Sequence, residues 1–393
     1  MRIGIDAHFA SYELRGIGKY IVQLVSRLIR GDRSNEYVVY GDSRMFPRPD
    51  GCAQVRFRNP GKLPYPVWEQ SVLPWWVWQD QIDLLHCPAN TAPLVLPSRT
   101  RLIVTVHDVM YLLPIDALST SRIFRQRLGR FYRRTVVPRS ARRADRIIAV
   151  SEFSKRQIAE RLRVPPERIL TIHEGIDSRF ECMAGESACG TDAGIRERLD
   201  APFILILGAG DPRKNTLAVI RVYAARWREL PSQEKLVIVG LGDWRASPAY
   251  QLAVELGIEE RVVFAGYVSE QLLAWLYSSA RCLLYPTLYE GFGFPVLEAM
   301  ACGTPVITSE CTSIPEIAGD AAILVDPASE KSIGDALVML LQDERLRQVL
   351  ISRGRERVSK FSWENTAEKT LGVYAGVNER VCGLAAAAGE GLT

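Results

Sequence analysis

RCLLYPTLYEGFGFPVLEAMACGTPVIT, residues 281–308, predicts a strand, a glycine-containing loop, a helix and a second strand in that order. The apolar runs Arg281–Tyr285 and Pro305–Thr308 are nearly continuous, which is typical of parallel strands buried on both faces. Between them, Pro295 suits the first turn of a helix, so we expect a short helix over Pro295–Ala301. A strand, a helix and a strand in succession indicate a parallel α/β sheet.

The same alternation of apolar runs and helical segments continues along the whole chain. Each half is therefore predicted to be an α/β, Rossmann-like doubly wound domain, and two such domains are expected to face a cleft. Helices are predicted notably over Ile17–Arg30, Ser121–Arg139 and Ser154–Arg163. The predicted strands are Arg2–Asp6, Tyr37–Tyr40, Val55–Arg58, Asp83–Cys87, Leu102–His107, Arg146–Val150, Ile169–His173, Phe203–Leu207, Lys235–Val239, Arg261–Phe264, Arg281–Tyr285, Pro305–Thr308 and Ala322–Val325.

The domain boundary is predicted within residues 175–201, which are polar, rich in glycine and without a strand run. The length of 393 residues suits two domains. We therefore expect an N-terminal Rossmann-like domain over 1–180 and a C-terminal one over 200–362. Residues 363–382 are predicted to form a final helix, and residues 383–393 a flexible tail.

Composition excludes several classes of protein. The net charge of +4 is too small to indicate nucleic-acid binding. No stretch of 18 apolar residues predicts a membrane span, and the N-terminus lacks the apolar region of a signal peptide, so we expect a cytoplasmic protein. The eight cysteines form no C-x-x-C pair and no zinc-spaced cluster with histidine, so we expect free thiols and no bound metal.

Candidate ligand-binding residues surround the start of the helix predicted at Pro295. Gly293 lets the backbone turn tightly and approach a ligand, and the free N–H groups at a helix start favour an anion. Glu290 lies before the helix and Glu298 on its first turns, where carboxylates could accept hydrogen bonds from sugar hydroxyls. The plainer interpretation, a helix cap and a solvated glutamate, accounts for this spacing equally well.

Three further sites follow predicted strands. Arg213 and Lys214 begin a helical segment after the strand FILIL, where two cations could neutralise a diphosphate leaving group. Gly16 and Gly18 form a glycine loop after the first strand, which suits a phosphate or a sugar. His107 ends the strand RLIVTV. Taken alone, a solvated Arg–Lys pair and a structural histidine are the simpler interpretations.

The motifs together resemble those of the family 4 retaining glycosyltransferases, which have the GT-B architecture. EGFGFPVLEAMACGTPVI, with its two glutamates eight residues apart, closely resembles the family signature. The segments GIGKY, HD, VSEFSK, EGID, PRKN and FSW follow in family order along nearly the whole chain. Two positions depart from the family pattern: Ala209 replaces a frequent arginine, and Glu174 replaces the asparagine of N-G-[IV]-D.

The resemblance implies a role for each matching residue. Glu290 is similar to the carboxylate that contacts the donor sugar, Glu298 to the one that binds the ribose, and His107 to the histidine beside the reacting sugar. Arg213 and Lys214 resemble the diphosphate clamp, and Gly16 and Gly18 the loop that approaches the phosphates. The backbone positions implied for binding the hexose and phosphate are Phe292, Gly293, Phe294 and Pro295. Those implied for binding the base are Gly266 and Tyr267.

The activity implied by the resemblance is metal-independent transfer of a hexose from a nucleotide sugar, with retention of anomeric configuration. The C-terminal domain would bind a GDP- or UDP-hexose donor, and the N-terminal domain a glycan or lipid-linked acceptor. No separate cofactor is implied. Related sequences favour mannose and cell-envelope or exopolysaccharide synthesis. Two alternatives remain: an epimerase or phosphorylase of the same two-domain form, and a nucleotide-binding protein without transfer activity.

A basic segment over 121–139, SRIFRQRLGRFYRRTVVPR, predicts a further partner. Ten arginines lie between Arg122 and Arg146 against one acid, Asp145. A basic amphipathic helix is typical of a membrane-surface element, so we expect peripheral attachment to anionic lipid on the inner face of the cytoplasmic membrane. The alternative is a helix packed on the core with a solvated charged face. The apolar positions of the segment 121–139 are Ile123, Phe124, Leu128, Phe131 and Tyr132.

Overall fold

The computed structural model describes residues 1–12, 16–46, 54–113, 124–177, 180, 193–199 and 201–389. These residues divide into two compact units. The first comprises the described residues of Met1–Leu112, Arg122–Gly175 and Ser362–Thr393, and the second those of Leu113–Ser121 and Ile176–Phe361. The chain therefore passes into the second unit at Ile176, and most of the polar stretch predicted to separate the domains lies outside the described residues.

The first unit is built on a seven-stranded parallel sheet. Its strands are β1 (Arg2–Asp6), β2 (Glu36–Tyr40), β3 (Val55–Arg58), β4 (Leu84–Cys87), β5 (Arg101–Val106), β6 (Arg146–Ala149) and β7 (Ile169–Thr171). The spatial order is β3-β2-β1-β4-β5-β6-β7. The direction of strand succession reverses between β1 and β4, which pair directly through Ile3 and Leu84. Open α/β sheets bind ligands outside the carboxyl ends of strands at such a switch point.

The second unit is built on a six-stranded parallel sheet with the same kind of reversal. Its strands are β8 (Phe203–Leu207), β9 (Lys235–Val239), β10 (Val262–Gly266), β11 (Cys282–Tyr285), β12 (Val306–Ser309) and β13 (Ala322–Val325). The spatial order is β10-β9-β8-β11-β12-β13. The switch point lies between β8 and β11, which pair through Ile204 and Cys282.

Helices connect the strands in both units. Several begin at a serine whose hydroxyl accepts a backbone N–H of the first turn, as at Ser151, Ser247 and Ser269. The helices are α1 (Ile17–Gly31), α2 (Tyr65–Val67), α3 (Leu73–Gln79), α4 (Phe124–Arg143), α5 (Glu152–Leu162), α6 (Ala193–Glu197), α7 (Thr216–Arg226), α8 (Pro248–Glu255), α9 (Glu270–Ser279), α10 (Phe294–Ala301), α11 (Ile314–Ala318), α12 (Glu330–Gln342), α13 (Glu344–Val358) and α14 (Trp363–Gly389). A π-helical turn over Trp68–Val72 joins α2 to α3.

All thirteen predicted strands have a counterpart in the structure, with ends that differ by at most two residues. The final helix continues to Gly389, past residue 382 where the sequence predicted a flexible tail, and its alanines favour helix. Residues 390–393 of that tail lie outside the described residues. The final helix belongs to the first unit, where Trp363 lies against Tyr20 of α1 with ring centroids 5.9 Å apart.

Candidate active site

Two loops of the second unit meet at the switch point between β8 and β11. The β8 loop leads into the PRK turn, and the β11 loop leads to α10. The backbone N–H of Leu288 donates to the carbonyl oxygen of Arg213 at 2.7 Å, and the Thr287 hydroxyl donates to the same oxygen at 2.9 Å. The amide of Asn215 donates to the carbonyl oxygen of Pro286 at 3.1 Å. These bonds fix the two loops relative to each other, so the side chains that follow the strands meet in one place.

Lys214 and Glu290, which follow the neighbouring strands β8 and β11, form an ion pair at this point. The Lys214 ammonium donates to Glu290 Oε1 at 2.6 Å, and the Tyr285 hydroxyl donates to the same carboxylate oxygen at 2.6 Å. The Lys214 ammonium also lies 2.5 Å from the Tyr285 hydroxyl. Sequence reasoning missed Tyr285, because a tyrosine that ends a buried strand looks like a core residue.

The protonation states of this triad are set by competition between burial and charge. Burial disfavours the Lys214 ammonium, but Tyr285 and Glu290 outweigh it and raise the pKa of Lys214 above its ordinary value. Burial likewise disfavours the Glu290 carboxylate, but Lys214 keeps the pKa of Glu290 below its ordinary value. Both groups are therefore charged at neutral pH. The pair offers a cation and an anion side by side, which suits a ligand with phosphate and hydroxyl groups.

Arg213 is adjacent to Lys214 in the sequence, but its side chain has a different partner. Its guanidinium donates to Asp211 at 2.6 Å through Nη2 and at 3.0 Å through Nε, and its side chain is 17% exposed. Asp211 also accepts the Arg213 backbone N–H at the start of the PRK turn. Of the two adjacent cations, Lys214 is the one that lies against Glu290, and Arg213 is paired with a carboxylate of its own loop.

The glycine loop before α10 has the geometry that its sequence predicts. Gly293 is the N-cap of the helix at a φ of 125°, a backbone conformation that favours glycine, and a Cβ there would lie 2.9 Å from Ile314. Phe294 and Pro295 then begin the helix. The Ser313 hydroxyl donates to the carbonyl oxygen of Phe292 at 2.7 Å, which fixes the loop. No side chain caps this helix start, and the positive end of the helix dipole there favours an anion.

Glu298 and the pair Gly266–Tyr267 also belong to the second unit, and their environments differ. Glu298 is buried in α10 and accepts a hydrogen bond from the Tyr277 hydroxyl at 3.2 Å. Gly266 ends β10 with a φ of 67°, and its carbonyl oxygen accepts the N–H of Gly240 at 2.7 Å. Tyr267 is 62% exposed. The contacts of these residues with a ribose or a base remain predictions.

In the first unit, His107 lies in a buried polar pocket at the end of β5. Its Nδ1 is 3.0 Å from Glu174 and its Nε2 is 2.9 Å from the carbonyl oxygen of Pro88. Both neighbours are acceptors, so the doubly protonated ring satisfies both. Burial lowers the pKa of His107, but the Glu174 carboxylate outweighs it and raises the pKa above the ordinary value. Glu174, noted in the sequence only as a departure from family pattern, is thus the ionic partner of this histidine.

The glycine loop of the first unit leads into α1. Gly16 is the N-cap with a φ of 49°, and a Cβ at this position would meet nothing within 4 Å. Gly18 is buried in the first turn. No side chain caps this helix start, and the positive end of the helix dipole there favours an anion. The geometry is compatible with the predicted phosphate contact.

A buried carboxyl network, which sequence reasoning missed, follows β1. Asp6 accepts hydrogen bonds from the Trp68 indole at 2.9 Å and from the Tyr65 hydroxyl at 3.3 Å. Glu69, in the π-helical turn, accepts from Thr91 at 2.5 Å and from the Tyr132 hydroxyl. Burial raises the pKa of Asp6 to about 6 and that of Glu69 to about 7, because desolvation disfavours the charged forms.

Replacing Glu69 with glutamine is expected to flatten the pH dependence of stability. A raised carboxyl pKa means that the native state holds its proton more tightly than the unfolded chain, whose glutamate titrates near pH ~4.3. The stabilisation is therefore present in full below that pH and is lost as the pH rises through about 7. The loss for Glu69 is on the order of 3 kcal/mol. The free energy of unfolding in urea, compared at pH 5 and pH 8, measures this loss of stability.

The control for this experiment is Glu356→Gln, because the Glu356 side chain is 77% exposed. This control should keep the pH dependence of the wild type. An equal fall in stability from pH 5 to pH 8 in Glu69→Gln and wild type would contradict the assignment of a protonated, buried Glu69.

The fold and the paired loops define a class of protein. HepE of Anabaena, solved in complex with UDP and glucose, matches 96% of this chain and 100% of its own chain with a TM-score of 0.70 and 17% sequence identity. The two parallel α/β sheets, each with a switch point, therefore have the GT-B fold.

Sequence comparisons identify the family. Residues 14–180 match Glycosyltransferase Family 4 and residues 192–357 match Glycosyl transferases group 1. The O-antigen chain mannosyltransferase RfbU of Salmonella typhimurium is 30% identical over 277 residues, 70% of this chain and 69% of its own. O-antigen chain mannosyltransferase B of Escherichia coli is 29% identical over 390 residues, 95% of this chain and 99% of its own. The chain belongs to these family 4, group 1 glycosyltransferases.

Proposed function

We propose that this glycosyltransferase transfers a hexose, with mannose favoured, from a GDP- or UDP-hexose to a glycan or lipid-linked acceptor during cell-envelope polysaccharide synthesis. The observation that carries the proposal is the meeting of Lys214 and Glu290 at the switch point beside the uncapped start of α10. The names of the two relatives, both O-antigen chain mannosyltransferases, support the choice of mannose and of an envelope glycan.

In the proposed mechanism the second unit binds the donor. The start of α10 and the Lys214 ammonium would stabilise the diphosphate as it gains charge, because preformed dipoles and charges act strongly where water is excluded. Glu290 would orient the sugar hydroxyls, and Glu298 the ribose. Retention follows if the acceptor attacks on the face that the diphosphate leaves, with a diphosphate oxygen taking the acceptor proton.

His107 would contribute charge rather than act as a base. Both of its ring nitrogens face acceptors, Glu174 and the Pro88 carbonyl oxygen, so neither is free to accept a proton. The resemblance implies that this histidine lies beside the reacting sugar, where an imidazolium would stabilise negative charge on the departing diphosphate.

The proposed activity is tested by a donor panel. GDP-mannose, GDP-glucose, UDP-glucose and UDP-galactose are compared by thermal shift, because a ligand that binds the folded state raises its melting temperature. The donor with the largest shift is then assayed for transfer to a lipid-linked glycan, with the anomeric configuration of the product read by NMR. We expect GDP-mannose and retention. An epimerised donor, phosphorolysis of a glycan, or binding without any transfer would replace the proposal with one of its alternatives.

Transfer is expected to continue in EDTA. Within the described residues, no group of three or more His, Cys, Asp or Glu side chains could hold a metal ion. In the proposal, the Lys214 ammonium beside Glu290 supplies the charge that a divalent cation would otherwise bring to the diphosphate. Initial rates are compared before chelation, after chelation, and after adding back magnesium or manganese. Complete loss in EDTA with recovery on metal addition would contradict metal independence.

Peripheral membrane attachment through α4 is part of the proposal. None of the described helices has both the length and the apolar character needed to cross a bilayer. Residues 121–123 of the predicted basic helix lie outside the described residues, but Leu128 and Phe131 are 58% and 68% exposed, one helical turn apart. Arg133 and Arg134 are exposed beside them. Tyr132 belongs to the opposite side, since its hydroxyl bonds to the buried Glu69.

Arg133→Glu/Arg134→Glu is expected to reduce co-sedimentation with vesicles that contain anionic lipid. Each arginine near such a surface contributes about 1 kcal/mol, and salt screens the attraction, so wild type should sediment at low salt and less at high salt. Leu128→Gln/Phe131→Gln should weaken attachment at both salt concentrations. The control Arg228→Glu/Arg245→Glu makes the same change in net charge on exposed residues of the second unit. Wild type in the supernatant at low salt would refute the attachment.

A further inference from the structure

A groove of about 730 Å³ lies at the amino edge of the first sheet, away from the residues proposed for catalysis. It is lined by Trp78, Gln79, Gln81, Pro97, Ser98 and Arg99. Gln81 lies shortly before β4, and Pro97–Arg99 shortly before β5, whose first residues pair in register. The six residues of β5 separate this edge from His107 by roughly 20 Å at the usual rise of a strand. The groove is therefore distinct from the pocket of His107.

One wall of the groove is Trp78, whose indole stacks on that of Trp75 outside the lining. Trp75 and Trp78 of α3 are 53% and 58% exposed, and their rings stack with centroids 5.1 Å apart at an interplanar angle of 29°. The stacking orients the Trp78 indole against its neighbour. A large exposed apolar patch on a monomer often marks a binding site. A flat aromatic face fits the C–H face of a sugar ring.

The remaining lining is polar and largely uncommitted. Among the described residues, no hydrogen bond or ion pair uses the side chains of Gln81, Ser98 or Arg99, while Gln79 accepts from Arg58 at 3.3 Å. An amide, a hydroxyl and a guanidinium offer donors and acceptors at the rim of an aromatic wall. This combination suits a neutral ligand rich in hydroxyl groups, because each hydroxyl can both donate and accept.

Gln81 occupies a position where the backbone favours glycine. It has a φ of 54° at the end of α3, where its N–H donates to the carbonyl oxygen of Trp78 at 3.2 Å and the N–H of Ile82 donates to that of Val77 at 3.1 Å. Such helix ends usually carry glycine, since a side chain strains the left-handed conformation. The chain instead places an amide side chain at this point of the groove.

We propose that this groove is a second glycan-binding site, which takes neutral hexose units of a long acceptor remote from its reacting end. The proposal rests on the proposed function only for the identity of the acceptor. Both the groove and His107 belong to the first unit, so a glycan of several units can engage both. Binding at the groove raises the effective concentration of the chain end at the reacting site. Long acceptors should therefore have a lower KM than short ones at similar kcat.

The test compares wild type with Trp78→Ala and Gln81→Gly. Trp78→Ala removes the aromatic wall, and Gln81→Gly removes the amide while relieving the backbone, so loss of folding does not confound it. Linear manno-oligosaccharides of two and eight units are titrated calorimetrically into the whole protein. We expect the octasaccharide to bind wild type, and each variant to bind it roughly tenfold more weakly. The control Val254→Ala, on an exposed residue of the second unit, should bind like wild type.

Transfer assays separate this proposal from the proposed function. Trp78→Ala should raise the KM of a long acceptor and leave kcat and the KM of a short acceptor unchanged. Absence of transfer in wild type would refute the proposed function, while the calorimetric result still decides the groove. Equal octasaccharide affinity in wild type and both variants overturns the groove proposal. Loss of vesicle binding or of self-association in Trp78→Ala, without loss of glycan binding, overturns it in favour of a bilayer or a second copy of the chain.

Discussion

Replacing Lys214 with alanine is expected to lower kcat for transfer by about 10²–10³-fold, the usual cost of removing one preorganised group that stabilises developing charge. The Lys214 side chain is 24% exposed and its ammonium lies 2.6 Å from Glu290, so the substitution removes a largely buried charge. The variant also leaves Glu290 mostly buried without its cation. Breaking a buried pair in this way typically costs about 3–5 kcal/mol, so the second unit should also lose stability.

A second variant separates the chemical effect from the structural one. Lys214→Met/Glu290→Gln removes both charges and keeps a partner for the Tyr285 hydroxyl, so its urea midpoint should return toward that of wild type. Its kcat should stay low. The control Lys331→Ala, on a side chain that is 87% exposed, should change neither property. A kcat near that of wild type in folded Lys214→Ala would remove Lys214 from the catalytic site.

The strands could be predicted from sequence because parallel sheets are buried on both faces. Phe203–Leu207 is a continuous apolar run and Lys235–Val239 is apolar after its first residue, and the bounds of both strands in the structure are those predicted. The sequence also predicted that Lys214 and Glu290 each follow a strand on the carboxyl edge of the sheet, but it did not predict their ion pair. Helix α3 was not predicted, since the prolines and tryptophans of residues 64–78 obscure the helical period.

Pairing between distant side chains was the part that sequence could not supply. Arg213 and Lys214 are adjacent, yet one is bound by Asp211 and the other by Glu290, and the difference depends on the turn between β8 and α7. Glu174 differs from the asparagine of the family pattern, and its role became visible only through its 3.0 Å contact with His107, 67 residues earlier. The burial, the partners and the pKa of a side chain depend on the folded chain, so the local sequence pattern does not predict them.

Replacing Gly175 with alanine is expected to destabilise the protein by about 3 kcal/mol or more, the upper part of the range for overpacking. A Cβ at this position would lie 2.2 Å from the backbone nitrogen of Trp363 and 2.6 Å from the carbonyl carbon of Ser362. Both contacts are with backbone, so no side chain can rotate away, and Trp363 is itself buried. The chain must shift at Glu174, which would also disturb its contact with His107. Urea unfolding followed by tryptophan fluorescence measures the loss.

Gly372→Ala is the matched control, because a Cβ there would meet nothing within 4 Å and the residue is exposed in α14. Alanine is about 0.8–1 kcal/mol better than glycine inside a helix, so this variant should gain stability while Gly175→Ala loses it. The opposite signs separate steric overlap from the general effect of adding a methyl group. Equal urea midpoints for Gly175→Ala and wild type would contradict the close approach of EGID to FSW. A second substitution at Trp363 is not expected to restore the urea midpoint. The overlap is with the Trp363 backbone, and a smaller side chain there leaves that nitrogen in place.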